Sequence, residues 1–112
     1  MYLYVELWKA KDAWLALSED ERGAYVAEIG PAMAALMDSG IELLGFAVND
    51  EDTDQRADYR YLAAWRMADR ALAVQLEEAV AGSGFYEYFE QINARGAVMT
   101  PELALGDMVR LS

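Results

Sequence analysis

The chain has 112 residues, with nine Lys plus Arg against twenty Asp plus Glu and a formal net charge of −11. A surface that acidic repels nucleic-acid phosphates and anionic lipid headgroups, so neither is expected as a partner. Cys and His are both absent, which removes disulfides, thiolate nucleophiles, zinc–thiolate sites, the customary metal ligand and every Ser-His triad.

Hydrophobic residues at 55% and aromatics at 12% predict one folded domain over residues 1–112. Residues 2–8 alternate without a break, Leu3, Val5 and Leu7 on one face and Tyr2, Tyr4, Glu6 and Trp8 on the other. Bulk on both faces predicts a central strand. Residues 13–39 read as helix in two pieces. Ser18 caps the second piece with Glu21 three residues on, Gly30-Pro31 predicts a kink, and Gly40 ends the run. Residues 41–48 form a second, almost wholly apolar strand. After the acidic connection 49–58, residues 59–67 form a third, with Tyr61, Ala63 and Trp65 on one face. Asp69 caps a helix over 70–81, Gly82-Ser83-Gly84 stops it, 85–88 is a short turn, and 89–97 is the fourth strand. Thr100-Pro101-Glu102 opens a short C-terminal helix whose apolar side needs a surface to lie on. No apolar run reaches membrane-spanning length. The first six residues alternate like a strand and lack the basic start of a signal peptide, so a cytoplasmic protein without a membrane partner is expected.

Strand, helix, strand, strand, helix, strand is the α+β, ferredoxin-like βαββαβ order, a four-stranded antiparallel sheet with both helices on one face. Strands apolar on both faces, with helices enough for one, predict a homodimer whose partner covers the open face. Tyr-Val-Glu-Leu-Trp at 4–8, the Asn49-Asp50 turn, the strand from Tyr61 to Trp65 and the segment Phe85-Tyr86-Glu87-Tyr88-Phe89-Glu90-Gln91-Ile92-Asn93 resemble the dimeric α/β-barrel superfamily, closest to its small bacterial members. The resemblance spans nearly the whole chain and is one of pattern, without a catalytic signature. It implies two ferredoxin-like sheets packed face to face. The characterised branches are cofactor-free monooxygenases of aromatic polyketides, haem enzymes, lactone isomerases and binding-only proteins. Haem there is held by an axial His or Asn, and with no His the resemblance implies no haem and no other cofactor.

The predicted topology gathers the ends of strands one and two with the starts of strands three and four, and so brings Glu6, Trp8, Asn49, Tyr59, Tyr61, Tyr86 and Tyr88 to one rim. Rings supply area for a flat small molecule, and a few polar groups orient it; the same residue types also suit a dimer interface. Glu6 interrupts a bulky central strand. It reads either as a general base with a pKa raised by burial or, in the more frequent arrangement, as one half of an ion pair with Arg60, Arg66 or Arg95. Arg66 and Arg95 are also candidates to clamp a substrate carboxylate.

The expected catalytic set is therefore Glu6, Asn49 and Arg95, with Trp8, Tyr61, Trp65, Tyr88 and Asn93 binding a small aromatic or enolisable metabolite. Arg95 or Asn93 would hold an oxyanion. The expected chemistry is that of a cofactor-independent monooxygenase or isomerase, set against a non-catalytic homodimer that binds a small molecule or a protein. Asp50-Glu51-Asp52-Thr53-Asp54 begins like a calcium loop but has Gln55 at the turn glycine and Tyr61 at the bidentate glutamate, so no metal is assigned. Met33, Met37, Met67, Met99 and Met108 read as core filler.

Overall fold

A computed structural model describes residues 1–112. The unbroken alternation at the start of the chain becomes the central strand β1 (Tyr2–Ala10), followed by the single turn α1 (Asp12–Leu15), α2 (Glu19–Asp38) and β2 (Glu42–Val48). Then come β3 (Tyr61–Met67), α3 (Arg70–Gly82), the single turn α4 (Phe85–Tyr88), β4 (Phe89–Ala97) and α5 (Pro101–Val109). The sheet order is β2-β3-β1-β4 and every neighbouring pair is antiparallel. β1 lies inside the sheet as its two-faced bulk predicts. The second and third strands are each shorter at their start than the sequence suggests, because Ile41 and the segment 59–60 lie outside the ladder. Leu44 bulges from β2 where the register with β3 shifts between Leu43 and Gly45.

The helix ends follow their sequence signals. Ser18 Oγ accepts from the Glu21 N–H at 3.1 Å while Glu21 Oε1 accepts from the Ser18 N–H at 2.9 Å, the reciprocal capping box. Asp69 caps α3 through the Leu72 N–H and Thr100 caps α5 through the Leu103 N–H. Gly40 takes φ 102° just past α2, a backbone conformation that side chains with a Cβ resist. Gly30-Pro31 does not divide α2, which runs through the proline. The helix absorbs the one hydrogen bond that proline cannot donate.

The core lies on one face of the sheet. Tyr4, Ala63, Trp65 and Met67 from β1 and β3 meet Ile41 and the α3 residues Ala73 and Leu76, with Met33 and Leu36 of α2 packed against them. The opposite face carries Leu3, Val5, Leu7, Leu62, Ala64, Ile92 and Ala94, all exposed or half-buried, and no helix packs there. Of the methionines expected as core filler, Met67 is buried and Met33 packs on the core. Met37, Met99 and Met108 are exposed, because α5 lies away from the sheet and Met37 is on the outer side of α2. The radius of gyration is 16.1 Å, against about 13 Å for a compact domain of this length. The projecting α5, with Leu103, Leu105 and Met108 all exposed, contributes to the excess.

Candidate functional site

Register explains how the site assembles. In the ladders Trp8 pairs with Tyr61 on one side and Gln91 on the other, and Glu6 pairs with Ala63 and Asn93. The even positions of β1 and the odd positions of β3 and β4 therefore share the helix-covered face. Glu6 is brought next to Trp65, Gln91 and Asn93.

Glu6 is 6% exposed and is the single buried charged residue of the chain. One carboxylate oxygen accepts from the Trp65 indole N–H and the other from Gln91 Nε2 at 2.8 Å. Gln91 Nε2 also donates to Asn93 Oδ1 at 2.7 Å. No cation reaches the carboxylate. Burial pushes its pKa above the ordinary 4.5, and the two neutral donors from Trp65 and Gln91 offset only part of that rise.

The anticipated ion pair is thus corrected, and each arginine has another occupation. Arg66 lies on the open face, donating Nε at 2.8 Å to the Glu42 carboxylate opposite it on β2. Arg95 is held by Glu77 of α3, two residues along β4 from Asn93, and Arg60 lies over the Tyr61 ring with Nε toward its hydroxyl. Arg95 is turned toward α3, where Glu77 engages it, and it makes no contact with Glu6.

The aromatic lining divides into two connected groups. Trp8 stacks on Tyr61 with centroids 5.6 Å apart and meets Phe46 and Phe85 edge-on, and Phe46 meets Trp65 in the same manner. Phe85 stacks on Phe89 at 4.5 Å, which leads to the second group, Trp14, Tyr25, Tyr88 and Phe89. Tyr88 belongs to that second group, where it fastens α1 and α2 to α4, and does not line the surroundings of Glu6.

Asn49 is also elsewhere. Its Nδ2 donates to the Ala57 and Tyr59 carbonyls at 3.1 and 2.9 Å, and its Oδ1 accepts from Thr53. It staples the acidic loop, where both its Nδ2 hydrogens and its Oδ1 are engaged within the loop. Arg56 completes that staple by donating to the Asp50, Ala57 and Tyr59 carbonyls. A polar cavity of about 330 Å³ opens beside it, with Lys9, Asp58 and Arg60 among its lining. The loop carboxylates do not converge, and no three acidic side chains are placed to hold a metal ion.

Of the eight residues singled out from the sequence, Glu6, Trp8, Tyr61, Trp65 and Asn93 fall on one patch of the helix-covered face. Asn49, Tyr88 and Arg95 have other partners. Gln91, absent from the expected set, is the residue that joins Glu6 to Asn93. Alternation along β4 was the signal, since Gln91, Asn93 and Arg95 must share a face.

Residues 1–111 match the family model described as "Family of unknown function (DUF6616)". No curated protein matches the chain. Among solved structures, HapK from Hahella chejuensis is similar at 18% identity and a TM-score of 0.50, over 88% of this chain and 93% of that one. A hypothetical Arabidopsis thaliana protein solved in solution is similar at 9% identity and a TM-score of 0.50, over 88% and 90%. A dimeric ferredoxin-like protein from an uncultured marine organism aligns at 12% identity and a TM-score of 0.49, over 89% and 96%. The likeness to HapK and the Arabidopsis protein supports the ferredoxin-like fold read from the strand order.

Proposed function

We propose that this chain, which belongs to the family of unknown function DUF6616, is a homodimeric, cofactor-independent enzyme that moves a proton on a small aromatic or enolisable molecule. The observation that carries the reading is Glu6, a buried carboxylate with no cation, walled by Trp8, Tyr61 and Trp65 and oriented by two neutral donors. An unpaired buried charge is costly, and a fold that keeps one gains a base stronger than an ordinary carboxylate.

In the proposed reaction Glu6 takes the proton from an acidic C–H of the ligand, and the electron pair of that bond passes into the adjacent carbonyl as an enolate. Asn93 Oδ1 is engaged by Gln91, which leaves its Nδ2 to donate to the enolate oxygen. Return of the proton at another carbon is an isomerisation; capture of the enolate carbon by dioxygen, which serves as oxidant, gives a hydroperoxide, and cleavage of its O–O bond with loss of the remaining C–H proton leaves a carbonyl and releases the second oxygen as water, a monooxygenation. Dimerisation is drawn from the apolar open face of the sheet, which lies opposite the site.

The test is deuterium uptake from D2O at the acidic carbon of anthrone and of a cyclic 1,3-diketone, followed with wild type and Glu6→Gln. Wild type is expected to accelerate exchange of at least one of them and the variant to lose roughly two orders of magnitude or more. Equal acceleration by both proteins would remove the base role from Glu6. A second reading, a dimer that binds without turnover, is favoured by the depth of the carboxylate; it predicts ligand binding with no exchange in either protein.

A further inference from the structure

We infer that Gln91 is a second ligand-contacting residue of the Glu6 site and that its side-chain oxygen selects an uncharged aromatic carrying a hydroxyl donor, a phenol or an enol, over its ether or its carboxylate. The inference rests on the proposed cleft and specifies what that cleft takes.

Both hydrogens of the Gln91 amide nitrogen have acceptors, Glu6 at 2.8 Å and Asn93 Oδ1 at 2.7 Å. Turning the amide over would set its oxygen against a carboxylate and a second carbonyl oxygen, so the orientation is fixed while Glu6 is ionised. The fixed orientation leaves Gln91 Oε1 buried and without a donor, and it is the one buried side-chain polar atom of the chain in that condition. A buried acceptor left unsatisfied costs free energy, and a ligand hydroxyl that reaches it recovers that cost. A methyl ether of the same shape cannot.

The surroundings set the rest of the ligand's chemistry. Gln91 stands opposite Trp8 in the ladder, so a ring lying on Trp8 brings a substituent toward the amide. The groups facing the site are two acceptors, the Glu6 carboxylate and Gln91 Oε1, and one neutral donor, Asn93 Nδ2, with no cation among them. The nearest arginine on β4, Arg95, is committed to Glu77, and the whole chain carries −11. A site without a cation, in a negative field, disfavours a carboxylate or phosphate, and its buried free acceptor favours a neutral donor. Asn93, exposed at the next position on the same face, marks the side from which solvent and ligand reach the pair.

Titrations of ¹⁵N-labelled protein with 1-naphthol, 1-methoxynaphthalene and 1-naphthoate, followed by NMR, test this in wild type and Gln91→Met. Wild type is expected to bind 1-naphthol roughly tenfold more tightly than the ether, the loss expected when a buried acceptor is left unpaired, and 1-naphthoate more weakly still. Gln91→Met is expected to bind the two neutral probes alike. The Gln91 side-chain amide resonances of wild type should shift with 1-naphthol and hold still with the ether, a readout that needs no folded variant. If wild type binds both neutral probes without preference, or if Gln91→Met keeps the preference, the assignment of Gln91 is overturned while the aromatic cleft stands. If no probe binds wild type, the cleft itself falls and this inference with it.

Discussion

Glu6 carries the proposed chemistry because nothing around it cancels its charge. The surrounding atoms are two neutral donors and aromatic rings, so the cost of ionisation is set by burial. Burial raises its folded pKa above the ordinary 4.5. Below that ordinary value Glu6 is protonated in both the folded and the unfolded chain and exerts no effect. As pH rises from there through the folded pKa, the unfolded chain releases the proton first and stability is lost, by about 1.4 kcal/mol for each unit of elevation. Glu6→Gln keeps the shape and removes the charge. Wild type should therefore lose stability relative to the variant as pH rises across that window, measured by urea denaturation; a difference that stays constant with pH would show that the carboxylate is not elevated. Glu21 shifts the opposite way, its carboxylate favoured by the Ser18 N–H, and is present in both proteins, so it cancels from the comparison. The sequence showed Glu6 to be out of place in an apolar strand but not what it faces. That depends on the β1–β4 register, which sets Asn93 across from it and brings Gln91, the partner of Trp8, alongside on the same face.

At the scale of elements, most of the secondary structure was legible because its signals are local. Capping residues, a glycine after α2, the proline at the start of α5 and period-two alternation each act within a few residues. Pro31 lies inside α2 and does not end it. Its missing N–H removes one bond from a helix of 20 residues, and the packing of Met33 and Leu36 on the core holds the helix together on its far side. Pro31→Ala restores a donor for the Ala27 carbonyl and should raise stability by about 1–3 kcal/mol, read as a higher denaturation midpoint. An unchanged or lower midpoint would mean that the proline ring contributes packing of similar size. The arginines were misassigned for a different reason. β-strand alternation fixes the face a side chain takes but not its partner, and Arg66 and Arg95 found acceptors in Glu42 and Glu77, closer in the fold than Glu6.

For the molecule as a whole, the two faces of the sheet differ in what covers them. The helix-covered face encloses the Glu6 patch, while the open face presents Leu3, Val5, Leu7, Leu62 and Ile92 with no element of the same chain over them. Nine of 112 residues are buried, a thin core for a chain that is more than half hydrophobic, and a second copy packed on the open face would enlarge it. Sedimentation should give twice the chain mass for wild type and the single 12.5 kDa chain for Val5→Asp, which sets like charges against each other across a two-fold axis. A wild type that sediments as the single chain at micromolar concentration would remove the dimer. Fold order was therefore readable from the sequence at this scale, whereas the position of α5 was not, since its apolar residues find no surface within their own chain. The claim on which the rest depends is that Glu6 ionises in a place without a cation, and the Trp65 indole N–H, bonded to it directly, is its natural reporter. A pH titration of that ¹H–¹⁵N resonance should show an inflection above 4.5 that disappears in Glu6→Gln; an inflection at or below 4.5 would mean that the carboxylate is stabilised as an ordinary anion, and would contradict the account.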